Sequence, residues 1–169
     1  MPSLFSPMKV VIEGIDGSGK TTLAQGLLAL PFFTHYVHYP VNVDLSLEGI
    51  ALQREMKRDM IENPAPDNSV IDRYWQSSYV YGMPSYMLRD LKRAIDTDTV
   101  NIFLNVSPGN ALQRCLRRKG IASRWDMMTI QERANLRDRY LELDCWDLVI
   151  DANQSPRQVL MDTCTHLYS

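Results

Sequence analysis

Residues 14–22 read Gly-Ile-Asp-Gly-Ser-Gly-Lys-Thr-Thr and follow directly on the apolar run Val10-Val11-Ile12. An apolar strand, a glycine-rich loop and an Ala/Leu-rich helix (Thr22 to Leu30) are thereby specified in immediate succession. Gly14 and Gly19 let the backbone curl so that successive N–H groups converge, and the following helix aims the positive end of its dipole at the same point. The pattern G-x-x-x-x-G-K-[ST] is thus a polyphosphate cradle. Lys20 reaches the β- and γ-phosphates, and the Thr21 hydroxyl becomes a ligand for Mg²⁺.

Apolar, β-branched runs recur at Lys9 to Glu13, Tyr36 to Tyr39, Ser69 to Asp72, Val100 to Val106 and Asp147 to Asp151. Helical patterns separate them at Lys20 to Leu30, Ser46 to Glu62, Gln76 to Ile95 with a break at Met83-Pro84, Pro108 to Lys119, Thr129 to Asp144 and Ser155 to Leu167. Such alternation predicts an α/β fold: a parallel sheet covered by helices on both faces. Pro108 and Pro156 suit first-turn positions. A chain of 169 residues, 45% apolar and 22% charged, fits a single domain spanning residues 1–169.

The formal charge of −2 provides no broad basic face, so stable nucleic-acid binding is not expected and a nucleotide must be held by a local cluster of cations. Cys115, Cys145 and Cys164 form no C-x-x-C pair and read as reduced thiols in a cytoplasmic setting. No run approaches the roughly 18 apolar residues of a membrane span. Met1 to Met8 lacks the charged start and long apolar centre of a signal peptide.

Val70-Ile71-Asp72-Arg73-Tyr74 sets a carboxylate and a guanidinium at the C-terminal end of the third strand, where open α/β sheets bind ligands. Asp72 there can face the Mg²⁺ region and Arg73 can hold a second anion, which is the positioning and charge neutralisation that phosphoryl transfer needs. The basic connector from Arg117 to Arg124, with Arg118, Lys119 and Gly120, reads either as a lid or as a solvated helix end. Tyr74, Trp75, Tyr79, Tyr81 and Tyr86 crowd the stretch after Arg73, as core packing or as the lining of a base and sugar pocket. His35, His38 and His166 show no metal-ligand pattern.

In order along nearly the whole chain, the sequence resembles the thymidylate kinase family of nucleoside monophosphate kinases. The carriers are Glu13 to Thr22, Asp72-Arg73-Tyr74 with Ser77-Ser78 and Tyr81-Gly82, Ile102 to Val106, Tyr140-Leu141-Glu142-Leu143, and Ile150-Asp151-Ala152 leading into Asn153-Gln154-Ser155. The resemblance implies a three-layer P-loop fold with a five-stranded parallel sheet in the order 2-3-1-4-5 and a lid at about residues 117–128. It implies Mg²⁺-dependent transfer of the ATP γ-phosphoryl group to a deoxynucleoside 5′-monophosphate, with dTMP as the first candidate. Gly14, Asp16, Gly17, Ser18, Gly19, Lys20, Thr21, Thr22, Arg117 and Asn153 would surround ATP. Asp16, Arg54, Arg73, Ser78 and Tyr81 would surround the acceptor, and Thr21 and Asp72 the metal. Lys20, Asp16, Asp72, Arg73 and the lid residue Arg124, beside Arg117 and Arg118, would serve catalysis. A homodimer is also implied.

Three departures from the family pattern bear on the acceptor. Val41 follows Tyr39-Pro40 where the family has an arginine, Ile50 stands where an aromatic usually stacks on the base, and the region between strands two and three is shortened. Three other readings remain open: a kinase of broader or modified-base deoxynucleotide specificity, a nucleoside kinase, and a non-catalytic ATP-binding module.

Overall fold

The computed structural model describes residues 6–118 and 127–169. Five strands, β1 (Lys9–Glu13), β2 (His35–His38), β3 (Ser69–Asp72), β4 (Val100–Asn105) and β5 (Leu148–Asp151), form one sheet in the order β2-β3-β1-β4-β5. All four pairings are parallel, as the strand and helix alternation predicts. The helices are α1 (Lys20–Leu28), α2 (Gly49–Glu62), α3 (Trp75–Val80), α4 (Ser85–Ala94), α5 (Pro108–Leu116), α6 (Ile130–Leu141) and α7 (Pro156–Leu167).

Successive side chains of a strand face opposite sides of the sheet, and β1 divides accordingly. Val10 and Ile12 join Leu23, Leu27, Ile102, Leu104 and Val159 in one core. Val11 joins Ile71, Met60, Trp75 and Leu91 in the other. The central strands β1 and β3 are buried almost throughout, whereas the edge strands β2 and β5 are largely exposed.

Helix starts are marked by the expected chemistry. Ser107 and Ser155 cap α5 and α7, each with proline in the first turn, and Thr129 with Glu132 forms a reciprocal capping box on α6. Helix α2 begins at Gly49 rather than Ser46, because Asp44 Oδ1 accepts from both Ser46 N and Ser46 Oγ and holds that stretch in a turn. The break at Met83-Pro84 separates α3 from α4. Among the described residues no helix is long and apolar enough to cross a membrane.

Register aligns Ile12 with Asp72, and Asp72 with His38, so the loops after β1, β2 and β3 open on one edge of the sheet. The chain reverses its direction of winding between β1 and β3, the topological switch point at which open sheets leave a crevice. Leu104 is fully buried in the larger core. Leu104→Ala is expected to cost about 2–5 kcal/mol, read as a lower midpoint in urea unfolding. An unchanged midpoint would contradict this packing.

Candidate functional site

The loop after β1 turns tightly enough that glycine is required at two of its positions. Gly19 caps α1 with a left-handed backbone (φ 97), and a Cβ on Gly17 (φ 87) would lie 2.4 Å from the Ala111 carbonyl oxygen of α5. Lys20 is buried, and its Nζ donates to the Gly14 and Ile15 carbonyls at 2.9 and 3.1 Å. Burial foremost, with the Arg73 charge next, pulls the Lys20 ammonium down to about 8. Ser18 Oγ is buried with no partner among the described residues, whereas Thr21 and Thr22 are exposed at the start of α1.

Asp72 ends β3 as a buried carboxylate. Its Oδ2 accepts from Tyr36 Oη at 2.9 Å and from Thr21 Oγ1 at 3.5 Å, with His38 Nδ1 3.3 Å away. Burial alone would raise this carboxyl, but the His38 hydrogen bond and the charges of Lys20, His38 and Arg73 outweigh it, and the group lies below its ordinary value. Asp72 Oδ1 is buried without a partner among the described residues. This open oxygen beside the Thr21 hydroxyl fits a hard cation that takes few protein ligands and completes its shell with phosphate and water.

Arg73 follows in a left-handed conformation (φ 66), rare for a side-chain-bearing residue. Its Nη2 donates to Asp16 Oδ1 at 2.5 Å, and its Nη1 faces Ser77 Oγ and Tyr81 Oη at 3.4 and 3.5 Å. Asp16, Arg73, Ser78 and Tyr81 all line a cavity of about 620 Å³, whose walls also include Tyr39, Pro40, Ile50, Leu52, Met56 and Arg118. That volume suits a nucleotide-sized ligand.

Arg54 departs from the sequence reading. It is exposed and lines a separate depression with Lys57, Arg58 and Tyr86. The cavity-facing positions of α2 are Gly49, Ile50, Leu52, Gln53, Met56 and Met60, a stripe of helical period, and Arg54 falls outside it. Gln53, one residue earlier, occupies the wall instead. Arg117 is exposed just past α5, and Arg124 lies outside the described residues, as does most of the expected lid. The Asn153 side chain is engaged locally: Oδ1 accepts from Ser107 N and Asn110 Nδ2, and Nδ2 donates to Asp151.

Three further residues belong to the site and went unassigned in the sequence. Glu13, fully buried at the end of β1, accepts from Tyr74 N, Ser77 N, Ser77 Oγ and Tyr140 Oη at 2.7, 3.1, 2.6 and 3.2 Å. A charged residue closing the apolar run Val10-Val11-Ile12 was the available signal. Arg133, also buried, donates from Nη1 to the Asp16 carbonyl at 2.9 Å and from Nε to the Met128 carbonyl at 3.2 Å. Its helical spacing from Leu136 and Tyr140 puts it on the inward face of α6. Arg114 joins the Gly17 and Ala152 carbonyls at 3.2 and 2.7 Å, which ties the glycine loop to the loop after β5.

No family model matches the sequence. Among curated proteins, a probable thymidylate kinase of Picrophilus torridus is 33% identical over 66% of this chain and 68% of its own length. A thymidylate kinase of Leptospira interrogans is 25% identical over 96% of this chain and 94% of its own. Among solved structures, the thymidylate kinase of Candida albicans superposes with a TM-score of 0.71 at 17% identity, covering 96% of this chain and 91% of that one, a likeness of fold.

The depressed Lys20 ammonium gives a pH dependence of definite sign. Above about pH 8 the ligand-free folded protein releases a proton that the unfolded chain keeps up to about 10.5, so this group makes stability rise with pH across that window. A polyphosphate needs the charged form. Calorimetric titration with metal-free ATP should therefore show weakening affinity and net proton uptake as pH rises past about 8. Constant affinity and no proton uptake up to about pH 9.5 would contradict the placement of Lys20.

Proposed function

This chain belongs to the thymidylate kinase family and is an ATP-dependent nucleoside monophosphate kinase, and we propose that its acceptor is a deoxynucleoside 5′-monophosphate, with dTMP the first of these. The observation that carries this reading is the Arg73–Asp16 pair facing the cavity beside the glycine loop. A second anion held by Arg73 stands next to one held by Lys20 and the loop amides.

In this reading the loop amides from Gly17 to Thr22 and the Lys20 ammonium hold the ATP phosphates. Thr21 Oγ1 and Asp72 Oδ1 would hold Mg²⁺ or its water, which would supply charge neutralisation for the transferring phosphates. Arg73 grips the acceptor phosphate, and Asp16 fixes that guanidinium and meets the deoxyribose hydroxyl. One acceptor phosphate oxygen attacks the γ-phosphorus as the bond to the β–γ bridging oxygen breaks, which yields the nucleoside diphosphate and ADP. An acceptor phosphate in its dianionic form has no proton to lose, so the site needs alignment and charge neutralisation rather than a base. Arg118 at the cavity wall, with Arg117 and Arg124, closes over the transferring group in this proposal.

Lys20→Ala should lower kcat by about a hundred- to a thousandfold while leaving thermal unfolding cooperative, a loss in the range expected for removing one group that stabilises transition-state charge. A well-folded, fully active Lys20→Ala protein would refute the assignment. Arg73→Ala should raise the acceptor KM and lower kcat together, because the guanidinium both binds and aligns the acceptor. Unchanged steady-state constants would remove Arg73 from the acceptor site.

A further inference from the structure

We propose that the acceptor cavity is built to take a base carrying an exocyclic amine, so that dCMP joins dTMP as a substrate; this rests on the kinase reading above and deepens it. The observation is the orientation of one amide. Gln53 lines the cavity from α2, and its Nε2 donates to the Tyr81 carbonyl at 3.3 Å. A carbonyl oxygen only accepts, so it takes the amide NH₂, and the flipped amide would set oxygen against oxygen. Gln53 Oε1 accepts no hydrogen bond among the described residues and, on a half-buried side chain, is the end of the amide left for a ligand.

Ser78 supplies the complement. The residue is 2% exposed and lines the same cavity, and its buried hydroxyl has no partner among the described residues. A hydroxyl rotates, so it donates or accepts as the ligand requires. The guanidinium that would present donors from α2 is absent from this wall, because Arg54 lines the other depression.

With the 5′-phosphate on Arg73, the base lies between α2 and α3. Cytosine then gives its 4-amino group to Gln53 Oε1 and receives the Ser78 hydroxyl at N3, and both open groups are satisfied. Uracil and thymine bring O4 to the same oxygen. Two acceptors meet there, unless the amide turns and gives up Tyr81. Thymine recovers part of that loss by burying its methyl against the apolar wall of Ile50 and Met56, which keeps dTMP a substrate.

The test compares kcat/KM for dCMP, dUMP and dTMP with ATP and Mg²⁺, in the wild-type protein and in Gln53→Met. dCMP and dUMP differ only at position 4 and in the N3 proton, and neither carries the methyl. The wild-type dCMP:dUMP ratio is expected to be about five or more, the effect of one hydrogen bond made or opposed. In Gln53→Met the ratio should fall to near unity. A wild-type ratio near unity or below overturns the inference, and this holds even if the variant does not fold. A ratio unmoved in a Gln53→Met protein that still phosphorylates dUMP overturns it too. Transfer to none of the three would instead strike the kinase reading beneath it.

Discussion

The Glu13 carboxylate is the contact on which the site depends. Helix α3 has no capping side chain of its own at Tyr74, and Glu13, reaching across from β1, accepts from the backbone N–H groups of Tyr74 and Ser77 instead. A buried carboxylate costs several kcal/mol unless its oxygens are satisfied, and here both carry hydrogen bonds, with the Arg73 charge nearby. Burial still raises its carboxyl above the ordinary value. This one group fixes where β1 ends, where α3 begins and how Arg73 is held between them. The left-handed backbone at Arg73 persists because both flanks are tied: Arg73 N donates to the Ile12 carbonyl, and Tyr74 N to Glu13.

Around that anchor two cations are held on backbone oxygens, while Arg73 is held on the Asp16 carboxylate. Lys20 lies on Gly14 and Ile15, and Arg114 on Gly17 and Ala152. Main-chain carbonyls hold a cation in place without neutralising it. Much of the positive charge that an incoming polyphosphate needs is therefore assembled in advance, at the cost that burial imposes on Lys20, and little reorganisation remains when the phosphates arrive.

Much of this was legible in the sequence. The alternation of apolar runs and helical patterns pointed to five parallel strands, the family resemblance to their order, and the glycine loop marked the start of α1 to the residue. Asp16, Arg73, Ser78 and Tyr81, named from their motifs, line one cavity, and Asp72 lies beside the Thr21 hydroxyl. Arg54 stays outside that cavity, because matching a motif position does not fix rotation about a helix axis. A step of one residue turns a side chain by about 100°, enough to exchange Arg54 for Gln53 at the wall. Glu13 and Arg133 escaped notice for a related reason. Their importance arises from partners 61 and 117 residues away, and no local pattern encodes such separations.

The most direct measurement is a crystal structure with a bisubstrate analogue, in which adenosine and a deoxynucleoside are joined through a polyphosphate. The adenosine side of the polyphosphate should lie on the loop amides and Lys20, and the distal phosphate on Arg73, with the second base between Gln53 and Ser78. An analogue bound with Arg73 turned from the polyphosphate, or lodged outside the cavity between α2 and α3, would contradict the account.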